Sequence, residues 1–247
     1  MVIITVDPGH GGRSPGAVGP TGVQEKRVCL AVALRVRELL RVRGHASCHL
    51  TREADIDVPL SKRLPAADAA CYISIHCNAH TDRGASGTET FRFAGGHHQS
   101  GLLANVLQRN LLARLQLRDR GVKTAAFQVL RQAKCPGALV ELAFISNPTE
   151  EALLESEHGQ ERAAQAIAAG VAEFLRVRPP SAATPPPVPQ APSPPPVAKP
   201  VRKTHVVIAG DTLFSLVRKY GVTVGQIRAW NNLESSTIYV GQVLTIG

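Results

Sequence analysis

A proline-rich stretch constrains the fold of this chain more than any other feature of its sequence. Over residues 178–204, Pro, Ala, Ser and Val replace every periodic pattern, and three consecutive prolines occur at residues 185–187 and again at 194–196. Polyproline segments rise about 3.1 Å per residue and hold their two ends apart. We therefore predict a linker over residues 178–204 that joins a domain of residues 1–177 to a smaller domain of residues 205–247.

The length and apolar content of the chain agree with one well-packed domain and a small second one. The chain has 247 residues, of which 44% are hydrophobic, enough to bury a sizeable core. No apolar run approaches the roughly 20 residues of a membrane span, so we expect no membrane partner. Residues 2–6 resemble a first core strand and are too short for the apolar region of a signal peptide. We expect either synthesis in the cytoplasm with release at lysis, or a secreted enzyme numbered from its mature end.

The charge and the cysteines narrow the class of protein further. A net charge of +9 attracts polyanions such as nucleic acid, anionic lipid or the acidic polymers of a bacterial wall. The basic residues are scattered and lack interleaved aromatic residues, so we expect no nucleic-acid partner. The five cysteines are an odd number without a CxxC pair, which favours reduced, mostly buried thiols over a disulfide framework.

Strand-like and helix-like segments alternate before the linker. Apolar patterning predicts strands at residues 2–6, 46–50, 71–75, 88–93 and 138–144, and helices at 25–43, 101–115 and in a closing pair that Asn147 caps. Glu150 is placed to complete a capping box with Asn147 at the start of the first helix of that pair. The order predicts an α/β fold with a sheet flanked by helices. After the linker, strands at 205–208 and 242–246 enclose helices at 212–220 and 224–231, a small βααβ unit better suited to binding than to catalysis.

Two histidines follow predicted strands directly. His10 comes after the first strand in a glycine-rich turn, and His76 marks the exit of the buried strand at residues 71–75. In α/β sheets the carboxyl ends of the strands are where sites form. Glu25 begins the first long helix and is placed to face the same edge. A His, Glu, His set with a fourth position left open is typical of catalytic zinc.

Glu141 lies in an otherwise apolar strand. A charged side chain there is costly unless it has a partner or a task, so Glu141 is our candidate general base. Zinc with an open position lowers the pKa of bound water to about 7, and a neighbouring carboxylate can pass a proton to a leaving amine. This chemistry is hydrolysis of a peptide or amide bond.

Each of these residues also has a structural explanation. A lone histidine at a strand end is commonly structural, and Glu25 alone fits a first-turn charge that the helix dipole favours. Glu141 alone fits one member of a buried ion pair. Because the residues are dispersed and no compact HExxH signature is present, spacing alone leaves the zinc site and a structural role open.

An ordered series of short motifs runs through nearly all of residues 1–177. The motifs are Val6-Asp7-Pro8-Gly9-His10-Gly11-Gly12, Glu25-Lys26, Leu50-Thr51-Arg52, Ser74-Ile75-His76-Cys77-Asn78-Ala79, Gly87-Thr88-Glu89-Thr90-Phe91, Gly121-Val122-Lys123, Val129-Leu130-Arg131 and Val140-Glu141-Leu142-Ala143-Phe144-Ile145-Ser146-Asn147. Together they resemble the amidase_3 family of N-acetylmuramoyl-L-alanine amidases. The resemblance implies a mixed β-sheet flanked by helices, of the phosphorylase/hydrolase-like type. It also implies hydrolysis of the amide between N-acetylmuramic acid and L-Ala in peptidoglycan.

The resemblance also assigns roles to residues. It makes His10, Glu25 and His76 the ligands of Zn²⁺ and Glu141 the catalytic carboxylate. Four further residues are candidates for substrate contact or for support of the site: Asp7, Arg63, Asn78 and Glu89. Cys77 stands where the family usually has Ala, and strand alternation predicts that it points away from His76 as a buried thiol rather than a fourth ligand.

Residues 205–246 resemble a LysM domain. The resemblance rests on residues 210–213, 230–233 and 238–242. LysM domains bind the N-acetylglucosamine-containing backbone of peptidoglycan or chitin, and the resemblance places glycan contacts at Asp211, Thr212, Leu213 and Ile238. We therefore expect a monomer that acts on the cell wall, with N-acetylmuramic acid and the stem peptide at the catalytic domain and the N-acetylglucosamine backbone at the LysM domain.

Two other functions remain open at this point. A zinc peptidase that cuts the stem or cross-link would use the same ligands, since ligand geometry does not select among amides. A non-catalytic wall-binding protein would keep the fold without the activity. The biological setting is also open among a phage endolysin, a lysis enzyme of a mother cell and an autolysin.

Overall fold

The computed structural model describes residues 2–42, 47–177, 203–208, 210–222, 224–231, 233 and 238–246. It divides into two compact units, Met1–Ala182 and Ala183–Gly247. Nearly all of the expected linker, residues 178–202, lies outside the described residues. So do the expected end of the first helix at 43–44 and residue 46 of the second strand. The boundaries 1–177, 178–204 and 205–247 therefore stay a prediction.

A six-stranded sheet forms the centre of the larger unit. Its strands are β1 (Ile3–Pro8), β2 (Ser47–Leu50), β3 (Ala69–Asn78), β4 (Thr88–Arg92), β5 (Asp119–Thr124) and β6 (Gly137–Phe144). The spatial order is β2-β1-β3-β6-β4-β5, and every neighbouring pair is parallel except β4 with β6. The predicted fold class, a mixed sheet flanked by helices, is confirmed.

The helices of this unit divide unequally between the two faces of the sheet. They are α1 (Glu25–Val42), α2 (Ser100–Leu115), α3 (Gln128–Gln132), α4 (Pro148–Glu155) and α5 (Glu157–Val177). On one face α1, α2 and α5 pack together over an aliphatic core that includes Val32, Leu107 and Ile167, all fully buried. Each such side chain contributes about 1.5–3 kcal/mol to stability by leaving water. The main aliphatic core of the unit therefore lies on this face.

The opposite face of the sheet has a thinner cover. Within the described residues, its cover includes the short helix α3 and the segment around the 3-10 turn at Leu60–Lys62, over a small cluster that includes Tyr72 and Leu139. Side chains alternate between the two faces along β3. Ile75 and Cys77 point towards the face covered by α1, α2 and α5, and His76 points towards the opposite, thinly covered face. Cys77 is therefore buried and faces away from His76, as predicted.

Two elements of the larger unit were not predicted. Strand β5 is an edge strand with a charged and Gly-containing sequence, so it lacks the apolar alternation of a half-buried strand. Helix α3 has five residues, too few to show helical periodicity. Asn147 caps α4 as expected, but the capping-box role of Glu150 was wrong. The Glu150 carboxylate accepts hydrogen bonds from the backbone N–H groups of Phe144 and Gly87 instead, at 2.6 and 2.7 Å.

The smaller unit has the predicted βααβ order. It consists of β7 (Thr204–Val206), α6 (Leu213–Tyr220), α7 (Val224–Asn231) and β8 (Val243–Thr245), with β7 and β8 antiparallel. Its core is small and aliphatic, comprising Val207, Leu213, Leu216, Ile227, Leu244 and Ile246.

Two further observations concern the whole described chain. All five cysteines are free, with Cys29, Cys71 and Cys77 buried and the other two half-buried, which agrees with reduced thiols. Among the helices in the described ranges, none combines the length and apolar character that crossing a bilayer requires.

Candidate metal centre

His10 directly follows β1 in an unusual backbone conformation. Its φ of 58° is left-handed, which costs a non-glycine residue about 1 kcal/mol or more and persists only where neighbours enforce it. The ring atom Nδ1 lies 3.1 Å from Ser14 Oγ, and Nε2 lies 3.1 Å from Glu25 Oε2. Ser14 therefore orients the imidazole, and Nε2 is the atom presented to the site.

Glu25 begins α1 with its carboxylate between the two histidines. Oε1 lies 2.9 Å from His76 Nδ1, and the residue is only 4% exposed. Two backbone N–H groups fix the carboxylate as well, with Ala17 donating to Oε2 at 2.8 Å and Cys77 donating to Oε1 at 3.0 Å. The carboxylate is thus held before any ligand binds.

These three side chains form a compact set of possible metal ligands. One ligand atom each from His10, Glu25 and His76 lie within 4.8 Å of one another, and the two imidazole rings meet edge to face with centroids 5.1 Å apart. The backbone lies against them: a Cβ on Gly9 would stand 2.5 Å from the His76 ring, and one on Gly16 would stand 2.5 Å from Glu25 Oε2. Two imidazole nitrogens and a carboxylate fit a divalent metal such as zinc.

The pKa values of this set show how strongly its members interact. Burial raises the pKa of Glu25, but hydrogen bonds from His10 and His76 outweigh it and keep that pKa well below its usual value. Burial lowers the pKa of His76, while the hydrogen bond to Glu25 and the charges of Glu141 and Glu25 raise it to about 9. The site therefore favours a positive charge beside Glu25, which a metal ion also provides.

Glu141 lies next to His76 in the sheet. The two residues are register partners on β6 and β3, so their side chains stand on the same face. Glu141 Oε2 is fully buried and has no hydrogen-bond partner among the described residues. Burial raises the pKa of Glu141 to about 8; Glu25 and Glu89 also raise it, against the opposing effect of His76. Such a carboxyl group is suited to proton transfer near neutral pH.

The predicted residues Asp7 and Arg63 form a buried ion pair beneath the His10 turn. Arg63 Nη1 donates to Asp7 Oδ1 at 2.8 Å, and both residues are below 5% exposed. Arg63 also donates to the carbonyls of Pro8 and His10. The side chains that donate to Asp7 are Thr51, Arg63, Tyr72 and Ser74. The pair holds the turn that carries His10.

Arg52 was not predicted as a site residue, although it stood in a recognised motif. It is 2% exposed and donates to the carbonyls of Pro8, Gly9 and Lys26 at 3.1, 2.8 and 2.8 Å. Gly9 precedes His10 and Lys26 follows Glu25 in the chain. Arg52 therefore ties the turn that carries one ligand to the helix that carries another.

Glu151 was also missed, and it holds the loop that leads into α1. Its carboxylate is 1% exposed and accepts hydrogen bonds from the N–H and hydroxyl groups of Thr21 and from the N–H of Val23. The role of Glu151 was not predicted, because nothing in the sequence connects residue 151 with residue 21.

Asn78 and Glu89 meet in a second polar cluster on the same face of the sheet. Asn78 Nδ2 donates to Glu89 Oε1 at 2.7 Å, while Arg120 Nε and Lys123 Nζ bind Glu89 Oε2 at 2.8 and 2.5 Å. Burial raises the pKa of Glu89, but the hydrogen bonds and charges of Lys123 and Arg120 outweigh that effect, so the pKa lies below its usual value. Lys123 was named only within a motif, and Arg120 was not predicted.

A cleft of about 680 Å³ opens above the metal-ligand set. His10, His76 and Glu141 lie at its floor, Val58, Pro59 and Leu60 on one wall, and Phe127, Gln128 and Val129 on the other. An extended ligand in the cleft can therefore reach His10, His76 and Glu141 at the same time.

The four predicted glycan-binding residues belong to the smaller unit. Asp211 accepts hydrogen bonds from Ile208 N–H and His205 Nε2, and Thr212 caps α6. Leu213 is 2% exposed, and Ile238 packs against the same core. Contact of these residues with glycan stays a prediction.

Comparisons with known proteins agree on the character of both units. Residues 4–173 match the Amidase_3 model, described as N-acetylmuramoyl-L-alanine amidase, and residues 205–247 match the LysM domain. The chain is 40% identical over 177 residues to the N-acetylmuramoyl-L-alanine amidase LytC of Bacillus subtilis, covering 70% of this chain. It is 32% identical over 217 residues to the endolysin of Bacillus phage SPP1, covering 85% of this chain and 76% of the endolysin.

A solved structure shows the same fold. The catalytic domain of CwlV, an N-acetylmuramoyl-L-alanine amidase from Bacillus (Paenibacillus) polymyxa var. colistinus, has a TM-score of 0.68 at 35% identity, over 72% of this chain and 100% of that one. Not every relative is matched so fully, since the present chain spans only 35% of the length of LytC.

Proposed function

The chain belongs to the Amidase_3 family of N-acetylmuramoyl-L-alanine amidases, and from that premise we propose that it hydrolyses the amide between N-acetylmuramic acid and L-Ala in peptidoglycan with zinc. One observation carries the proposal. Glu141 presents a buried carboxylate oxygen, unpartnered among the described residues, on the floor of the cleft that also holds His10 and His76. A carboxylate in that position is placed for proton transfer at a bond bound in the cleft.

The three-residue set would hold the metal. Held by His10, Glu25 and His76, zinc would supply a Lewis acid for the amide carbonyl. The chain supports these ligands from behind, through Ser14 on His10 and through the Ala17 N–H on Glu25. Such outer contacts orient ligands and strengthen metal binding.

Glu141 would move the proton during hydrolysis. It takes a proton from the attacking water as the new C–O bond forms, and it returns that proton to the L-Ala nitrogen as the C–N bond breaks. The side chain gains one proton and gives up one proton, so the carboxylate ends as it began. The two walls of the cleft would hold the substrate over Glu141. One wall consists of residues 58–60 and the other of residues 127–129.

The smaller unit would hold the enzyme on the wall. We propose that residues 205–247 bind the N-acetylglucosamine backbone and that residues 178–204 tether them to the catalytic residues 1–177. Tethering raises the effective concentration of substrate without adding catalytic contacts. The net charge of +9 should strengthen adsorption to an anionic wall and make it weaker as salt increases.

Product analysis tests the bond that is cut. Purified sacculi are digested with the full chain, and the new amino termini and glycan ends are identified by mass spectrometry. We expect free stem peptides beginning with L-Ala and glycan that keeps its lactyl groups. Cleavage of a different amide, with no new L-Ala termini, would favour a peptidase. Absence of any new terminus with zinc present would favour a non-catalytic wall-binding protein.

A further inference from the structure

A row of charged side chains crosses four neighbouring strands on the thinly covered face of the sheet. In the order β3-β6-β4-β5, His76 pairs with Glu141 and Glu141 pairs with Glu89 in register. Lys123 on β5 then reaches Glu89. Residues paired directly across strands project on the same face. The row therefore runs from the metal-ligand set at His76 to a cation at the β5 edge.

The single negative charge of Glu89 is paired with two cations, Arg120 and Lys123. It is 4% exposed, and Asn78, Arg120 and Lys123 all donate to it. Arg120 lies over the Phe144 ring, its Cζ 4.7 Å from the centroid. With Asn78 and Arg120 present, Glu89 stays hydrogen-bonded and paired with a cation even without Lys123.

The other carboxylates near this cluster have their own partners. Glu150 accepts hydrogen bonds from the N–H groups of Phe144 and Gly87. Burial raises the pKa of Glu150, and these hydrogen bonds and the charge of Arg120 only partly offset that rise. Asp119 is bound by Gln108 on the other face of the sheet. The side chain of Lys123 is 41% exposed, and an ammonium group has three donors. Lys123 is thus a cation on the edge strand β5, positioned by Glu89 and with donors left for a further anion.

The distance between Lys123 and Glu141 determines which anionic group of a bound substrate can contact Lys123. Strands lie about 4.8 Å apart, so a group between β4 and β5 stands about 5–10 Å from Glu141. Two residues of extended peptide span about 7 Å. Resting on the proposed amidase function, we propose that Lys123 binds the free carboxylate of the second stem-peptide residue and so favours acidic stems over amidated ones.

Two synthetic N-acetylmuramoyl tripeptides test the proposal. They are identical except that the second residue is D-glutamate with a free carboxylate in one and its amide, D-isoglutamine, in the other. We expect the zinc-loaded full chain to cleave the acid with a kcat/KM about five- to tenfold higher, as for a charge-assisted hydrogen bond. Lys123→Met should bring the two rates within about twofold, and Lys123→Arg should restore much of the preference.

A matched control removes a lysine elsewhere. Lys134 is exposed and precedes β6, at the opposite end of the sheet from the cleft, so Lys134→Met should keep the wild-type preference. A preference unchanged in Lys123→Met, or no preference in the wild type, would overturn the proposal. If the wild type cleaves neither peptide, the amidase function fails instead. Calorimetric binding of the two peptides to the same variants then decides whether Lys123 recognises the carboxylate.

Discussion

Arg52 Nη2 donates to the carbonyl of Gly9 at 2.8 Å, and the same nitrogen donates to the carbonyl of Lys26 at the same distance. These two carbonyls belong to the neighbours of His10 and Glu25. A single planar guanidinium therefore sets the spacing between the turn and the helix that carry two of the proposed ligands. Lysine cannot reproduce this fork of donors.

The first prediction follows from that contact. Arg52→Lys should lower zinc affinity about tenfold, the lower end of the range for residues that support metal ligands. Competition with a chromogenic chelator measures this without reference to activity. Arg37→Met is the control, because Arg37 lies in α1 and forms an ion pair with Glu53 rather than with a residue next to a proposed ligand. Unchanged zinc affinity in a less stable Arg52→Lys protein would reduce Arg52 to a structural role.

The second prediction concerns Gly9. A Cβ at this position would stand 2.5 to 2.8 Å from three atoms of the His76 ring, closer than such contacts allow, so Gly9→Ala must displace that ring. We expect zinc affinity to fall about tenfold or more, measured by calorimetric titration. Gly101→Ala in α2 is the matched control, with Arg92 no closer than 3.7 Å. Equal affinities of the two variants would contradict the placement of His76 in the site.

The third prediction concerns pH and stability. Burial raises the pKa of Asp7, but the charge of Arg63 and hydrogen bonds from Thr51, Arg63 and Ser74 lower it below the usual 3.8. Because the folded pKa is depressed, ionised Asp7 contributes stability that is complete above the unfolded pKa. That contribution is lost as pH falls through the folded pKa.

Urea unfolding of the metal-free protein between about pH 2 and pH 7 measures this contribution. Asp7→Asn should be less stable by about 3–5 kcal/mol at neutral pH, because the buried Arg63 loses its anionic partner while keeping its bonds to the carbonyls of Pro8 and His10. The difference from the wild type should shrink below about pH 4. A difference that stays constant over the whole range would show that Asp7 is not ionised in the folded chain. Asp57→Asn, at an exposed ion pair with Arg13, should change stability little.

Residues whose placement depends on local order in the chain were predictable from the sequence. His10 lies just past the end of β1, and His76 lies within β3 near its carboxyl end rather than after the strand as predicted. Because strand ends converge at one edge of an α/β sheet, their proximity was still predictable. Glu141 was found because a charge interrupts an apolar strand. The core strands and the long helices were predictable as well, because their apolar residues recur with clear periodicity.

Residues whose roles depend on contacts between distant segments were not predictable from the sequence. The hydrogen bonds of Arg52 to Gly9 and of Glu151 to Thr21 join parts of the chain that only the folded structure brings together. Strand β5 was missed because an edge strand needs no apolar alternation, and with it Arg120, which binds Glu89 from that strand. The register of β6 between β3 and β4, which aligns His76, Glu141 and Glu89, likewise has no signature in the sequence.

The most direct test of the central claim compares the wild type with Glu141→Gln on the N-acetylmuramoyl tripeptide. Zinc content is measured on the same samples by mass spectrometry. The variant keeps the size of the side chain and leaves His10, Glu25 and His76 in place. We predict one zinc per chain in both proteins and a rate of L-Ala amide hydrolysis about 100-fold or more lower in the variant, the usual effect of losing a general base. Hydrolysis at the wild-type rate by zinc-loaded Glu141→Gln would contradict the account.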